Sequence, residues 1–233
     1  ASVTKLLTAY TVLIAVEEGV FELDTPAGPE GATVRDLLAH TAGVAFSQRK
    51  VMAQPRTRRL YSSAGFDILA EALAEHADID YERYHQEALL TPLGMTSTKL
   101  AGSPGADGYS TAADLVRFTK ELQRPTLVNP QTMAEATTVQ FPGLNGVLPG
   151  FGHQRPNDWG LGFELRDHKD PHWTGSNSSP RTFGHFGQSG TFLWVDPDAG
   201  LGCVALTDRD FGPWAKEVWP RFTDAVLAEF SRR

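Results

Sequence analysis

The chain has 233 residues, 41% of them hydrophobic and 21% charged, a length that accommodates one large domain or two small ones without disulfide support. Its net charge of −7 argues against nucleic acid as a partner, because phosphate binding needs clustered Lys and Arg. The single cysteine, Cys203, excludes an internal disulfide and a cysteine-rich metal site, and no apolar run approaches the roughly 18 residues of a membrane-spanning helix.

The chain opens on a helical pattern. Leu6, Leu7, Tyr10, Leu13 and Ile14 recur at three- and four-residue spacing, with Gly19 as the stop. Ser2 then stands at the N-terminus of that helix. Thr33 with Asp36 predicts a helix start for Val34–His40, closed by Gly43. Residues 47–60 lack a period, and their basic side chains (Arg49, Lys50, Arg56, Arg58, Arg59) read as a solvated loop. Ser62 or Ser63 starts a helix carrying Phe66, Leu69, Ala70 and Leu73, and another helix covers about 80–90, ending near Pro92 and Gly94. After a loop from Gly102 to Gly108, Ser110 with Asp114 begins a helix carrying Leu115, Phe118 and Leu122. Asn129-Pro130 starts one more, with Asn as cap and Pro in the first turn.

Beyond about residue 140, Gly, Pro and aromatic residues dominate. Trp159–Leu165, Thr182–Phe186, Thr191–Val195 and Gly202–Thr207 read as strands. The last two form a hairpin across Asp196-Pro197-Asp198-Ala199-Gly200. Cys203, in an apolar run, is expected to be a buried, inert thiol. A closing amphipathic helix is expected to carry Trp214, Val218, Phe222, Val226, Leu227 and Phe230 on one side.

Three short motifs carry chemistry. Ser2-Val3-Thr4-Lys5 is an S-x-x-K; positions i and i+3 share a helix face, so the Lys5 amine reaches the Ser2 hydroxyl. A serine needs such a base because its free hydroxyl is a weak nucleophile, and a lysine serves only if burial or a neighbouring cation lowers its pKa. Tyr61-Ser62-Ser63 precedes a helix, where a phenol near a cation can shuttle a proton. Gly184-His185-Phe186-Gly187-Gln188-Ser189-Gly190-Thr191 leads into a strand, where glycines let a substrate approach the edge and His185 supplies a donor or a positive charge. Taken singly, each motif also fits an ordinary surface helix, core tyrosine or hairpin.

Their order and spacing resemble the penicillin-binding protein and serine β-lactamase superfamily, in which S-x-x-K precedes a K-T-G. Within it, Leu37-Leu38-Ala39-His40-Thr41-Ala42-Gly43-Val44, Tyr61–Phe66, Pro92-Leu93-Gly94-Met95 and Tyr109–Leu115 resemble the class C branch of β-lactamases, D-alanyl-D-alanine carboxypeptidases and related esterases. The resemblance implies an α/β fold of the α+β type: an antiparallel sheet flanked by helices, with an inserted all-helical subdomain. Residues 1–24 and 140–233 would form the sheet part and 25–139 the helical part, with the active site between. Ser2 would be acylated, and Lys5 and Tyr61 would share the general-base and general-acid work. His185 would replace the Lys of Lys-Thr-Gly, Gly187 would keep the strand open, and the Ser2 and Gln188 backbone N–H groups would form the oxyanion hole.

Three departures shape the expectation. Ser63 stands where the family has Asn, and is expected to contact substrate and lysine only partly, which favours esters. His185-Phe186-Gly187 replaces Lys-Thr-Gly, so a substrate carboxylate would be held less firmly. Only Ala1 precedes the nucleophile, so an upstream helix and first strands are expected beyond these residues, on the same or another chain. The expected function is a serine hydrolase forming an acyl-enzyme on Ser2 with esters or D-amino-acid amides and peptides. The alternatives are a β-lactamase or D,D-carboxypeptidase, and a non-catalytic β-lactam sensor. No cofactor and no metal are implied: His153, His168 and His172 fit no zinc spacing. His40 reads as structural. Trp159, Phe163, Trp173 and Trp194 are candidates for a cleft wall, with core packing the plainer account of Trp194. Compartment and export are left open.

Overall fold

The computed structural model describes residues 1–231. Helix α1 (Thr4–Glu17) is its centre: all twelve residues from Thr4 to Ala15 are buried. A helix buried on every side must satisfy its polar side chains internally. Thr8 donates to the Pro104 carbonyl (2.7 Å), Thr11 bonds the His85 ring (2.7 Å), and the Tyr10 phenol donates to Glu121 (2.6 Å). Around α1 pack α2 (Val34–Leu38), α3 (Ser63–Ala77), α4 (Tyr81–His85) with the π-helical turn that continues it (Gln86–Leu90), α5 (Ala112–Gln123) and α6 (Pro130–Ala136).

Two short ladders, β1 (Lys99–Leu100) with β2 (Gly108–Tyr109) and β3 (Gly146–Leu148) with β4 (Gly152–Gln154), flank this block. The main sheet is antiparallel, in the order β5 (Glu164–Leu165), β6 (Phe183–Gly187), β7 (Thr191–Asp196), β8 (Leu201–Leu206). On β7 the strand period of two separates two cores. Leu193 and Val195 join the helical core, whereas Phe192 and Trp194 join Phe186, Trp173 and Trp219 under helix α7 (Pro213–Phe230). Among the described residues, no helix is long and apolar enough to cross a membrane.

Local signals landed close to their elements. Thr33 and Asp36 form the capping box of α2, Ser62 caps α3 by accepting the Gly65 N–H (2.8 Å), and Asn129 caps α6. Helix α5 is capped by Thr111, not Ser110, because Thr111 lies three residues before Asp114 and accepts its N–H (3.2 Å). Helix α2 stops at Leu38, short of His40, which takes a left-handed conformation (φ 58°).

Four expectations are corrected by packing. The basic segment is not solvated throughout: Arg59 is 1% exposed and donates to the carbonyls of Ala39, Gln140 and Asn157, while Arg56 pairs with the buried Asp36. Trp159–Leu165 is not one strand. It folds back on itself, with Trp159 bridged to Glu164 and the Gly160 N–H bonded to the Phe163 carbonyl (2.8 Å), and only Glu164–Leu165 pairs in the sheet. Helix α7 buries Ala215, Trp219, Thr223 and Leu227, leaving Val218, Phe222 and Phe230 exposed. Its core face is set by the fit of Trp219 against Phe186 and Phe192. Cys203 is half-buried on β8, with its thiol pushed up to about 11 by burial.

Candidate active site

Ser2 occupies the turn that leads into α1, and Lys5 lies on the first turn of the helix. Their side chains meet as the i, i+3 spacing requires, with Lys5 Nζ 3.4 Å from Ser2 Oγ. The lysine is wholly buried and has two closer acceptors, Ser63 Oγ (2.9 Å) and the Gly105 carbonyl (2.7 Å). Burial pushes its pKa down to about 7 against an opposing pull from Asp67. Near neutral pH, a large fraction of Lys5 is therefore a free amine able to accept a proton.

Tyr61 arrives from the other side, immediately before α3. Its hydroxyl donates to Ser2 Oγ (2.8 Å), and Lys5 Nζ lies 4.6 Å from its ring centre. Burial holds the phenol well above its ordinary range, although the Ser2 hydrogen bond pulls the other way, so Tyr61 is a proton donor at neutral pH. The segment is placed by His40, whose Nδ1 accepts the Ser62 N–H (3.1 Å) and whose ring packs on Tyr61 at 4.8 Å. Burial and the Lys5 charge keep His40 neutral.

The sheet supplies the third side. The His185 ring lies 5.6 Å from that of Tyr61. His185 Nδ1 is 2.6 Å from the Phe186 carbonyl; a carbonyl only accepts, so Nδ1 carries the proton. Burial, then the Lys5 charge, drive its pKa down to about 3. Of the two roles expected here, a donor or a positive charge, neither is offered by the free ring nitrogen: His185 is neutral, and its Nε2, which has no partner, is an acceptor. Gly187 sits against Ser2, where a Cβ would lie 2.7 Å from Thr191 Oγ1 and 3.2 Å from the Ser2 nitrogen.

These groups open on a cavity of about 90 Å³ lined by Ser2, Tyr61, His185 and Gln188 with Phe46, Leu148, Pro149, Trp159, Trp173 and Phe186. Trp159 and Trp173 wall the cleft as expected, whereas Phe163 and Trp194 belong to the cores. Ser63 touches Lys5 but does not line the cleft. The one acidic lining residue, Glu164, is held ionised with its pKa near 2 despite burial. It accepts from Lys169 (2.9 Å), His172 (2.7 Å) and Trp173 Nε1 (2.7 Å), which fixes the Trp173 ring as a wall. No lysine or arginine lines the cleft among the described residues. Sequence reasoning missed Gly105, Glu164 and the Phe46–Leu148–Pro149 rim. Of these, only Phe46 carried a signal, as an aromatic residue just beyond the Gly43 turn.

The β-lactamase family model matches residues 1–228. A crystal structure of a β-lactamase from Mycobacterium bovis is 58% identical with a TM-score of 0.98, covering 100% of this chain and 86% of that one. Simvastatin synthase from Aspergillus terreus, at 17% identity and a TM-score of 0.82, covers 100% of this chain and 84% of its own, and shares the fold. Among curated proteins, the D-alanyl-D-alanine-carboxypeptidase/endopeptidase AmpH of Escherichia coli is 27% identical over 141 residues, 45% of this chain and only 37% of that protein. A match running nearly end to end, on a fold shared with the Mycobacterium bovis structure, places this chain in the β-lactamase family of serine hydrolases.

Proposed function

We propose that this chain hydrolyses uncharged carboxylic esters through an acyl-enzyme on Ser2. The observation that carries the proposal is the Ser2 hydroxyl held between the Lys5 amine and the Tyr61 phenol at the edge of an aromatic cleft that no lysine or arginine lines among the described residues. In this reading, the neutral Lys5 amine takes the Ser2 proton as Oγ attacks the ester carbonyl carbon. The oxyanion rests on the backbone N–H groups of Ser2 and Gln188, contacts that are typically worth about 10²–10³ in rate each. Tyr61 gives its proton to the departing alkoxide and regains one from the Lys5 ammonium beside it, so the proton count closes. Water then attacks the acyl group by the same route in reverse.

A peptidase reading draws support from the 27% identity to a D-alanyl-D-alanine carboxypeptidase/endopeptidase. A D-alanyl terminus and a β-lactam both carry a carboxylate, and leaving that charge without a counter-ion in a closed site is costly. The neutral His185 and the ionised Glu164 therefore favour esters over both.

The experiment is intact-mass analysis after a p-nitrophenyl ester or a fluorophosphonate, with parallel turnover assays on short-chain esters, nitrocefin and a D-alanyl dipeptide. A mass increase on Ser2, lost in Ser2→Ala, with multiple turnovers of ester alone is expected. Folded protein that takes no adduct would overturn the hydrolase reading. Faster turnover of nitrocefin or dipeptide would overturn the ester preference, and a single acylation without turnover would indicate a sensor.

A further inference from the structure

Lys5 is buried among three oxygen acceptors, and two of them come from distant parts of the chain. Ser2 is one helical turn away and Ser63 opens α3, but the Gly105 carbonyl belongs to the loop between β1 and β2. That loop is held by two carboxylates. The Ser103 hydroxyl donates to Asp67 Oδ1 and accepts the Gly105 N–H (3.0 Å), while the Ser103 N–H donates to Asp107 Oδ2 (2.7 Å). Gly105 packs so closely on the start of α3 that a Cβ would lie 2.9 Å from the Ser63 carbonyl oxygen. Ser63 and Asp67 are four residues apart on α3 and so share a face. One helix face thus presents a direct acceptor for the lysine and the anchor of its second acceptor.

We propose that Asp67 is a positioning residue for Lys5: it pins Ser103, Ser103 pins Gly105, and the Gly105 carbonyl holds the lysine nitrogen between Ser2 and Ser63. The inference rests on Lys5 being the base that activates Ser2. Asp67 also bears on the charge of Lys5. The other titratable groups around the lysine are Tyr61, His40 and His185, all neutral. Asp67 is the carboxylate whose charge favours the ammonium form, and Arg49 on its outer side feels the same charge. Without that charge Lys5 releases its proton at lower pH.

The test compares wild type with Asp67→Asn, Asp67→Ala and Ser103→Ala, none of which alters a group touching Ser2. Three quantities are read: thermal midpoint, the split of kcat against KM on an ester, and the pH midpoint of Ser2 labelling by a fluorophosphonate. Asp67→Asn keeps an acceptor oxygen for Ser103 and removes the charge, so its labelling midpoint is expected to move about half a unit to lower pH with a near-normal plateau. Asp67→Ala and Ser103→Ala release the loop and are expected to lower kcat about tenfold with little change in KM. Variants that keep the wild-type midpoint and plateau, or that lose activity only in proportion to lost folded protein, would overturn the proposal while leaving Ser2 and Lys5 in their roles. Wild type that takes no label at any pH would instead remove the reading on which the proposal rests.

Discussion

At the scale of single residues, the site depends on which protonation states burial permits. Lys5 is poised near pH 7 because it is wholly buried with partial compensation from Asp67, and only its neutral form accepts a proton. The rate constant kcat/KM for an ester is therefore expected to rise as pH passes through about 7 and to level off above it. His185 is neutral down to about pH 3, so it adds no limb of its own near neutrality. Tyr61→Phe, which removes the phenol proton and keeps the ring, is expected to lower kcat by about 10²–10⁴. A pH–rate profile flat from 5 to 9, or full activity in Tyr61→Phe, would show that these two groups do not move the protons.

At the scale of elements, the sheet is sandwiched between two unlike cores, and α7 closes the second one. Trp219 on its inner face meets Phe186, Phe192 and Phe211 at ring distances of 6.1, 5.1 and 5.5 Å. Phe186 lines the cleft beside Ser2, so this packing also supports the wall of the proposed site. Truncation of Trp219 to Ala is expected to cost about 3–5 kcal/mol in chemical denaturation. Phe222, on the outer face and 46% exposed, is expected to cost about 1 kcal/mol or less on the same change. Equal losses at the two positions would mean that the helix does not pack by the Trp219 face.

For the whole molecule, four buried histidines make stability depend on acid. His40, His85, His172 and His185 all have pKa values lowered chiefly by burial, to about 4 for His85 and about 3 for His185. The unfolded chain protonates these groups near pH 6.5, whereas the folded chain resists until lower pH. Their contribution is thus fully present above about 6.5 and is lost as pH falls through the window below it, at up to about 1.4 kcal/mol per pH unit for each histidine. Glu164 has the opposite chemistry but the same sign. Its carboxyl is depressed to about 2, so its contribution is present above about 4.5 and is lost only below that. Lys5 acts in the same sense at higher pH: with its pKa lowered to about 7, the folded chain gains stability as pH rises above 7. The thermal midpoint is therefore expected to fall gently from pH 8 to 7 and steeply between 6.5 and 5; a midpoint unchanged over that lower range would show that the histidines are not held neutral.

Much of this protein was already legible in its amino-acid order, because the interactions concerned are local. The Ser2–Lys5 contact follows from helical spacing, and the caps Thr33, Ser62 and Asn129 follow from side chains that bond N–H groups two or three residues ahead. The short apolar run Thr191–Val195 likewise announced a strand. What the order left open were choices among surfaces that meet only in three dimensions. Arg59 is buried because three distant carbonyls converge on it, α7 turns on Trp219 because an aromatic pocket waits there, and Trp159–Leu165 folds back because its glycines permit it. The charges of Lys5 and His185 belong to the same class. A pKa is set by the solvent removed and by the neighbours brought near, and those neighbours lie tens of residues away along the chain.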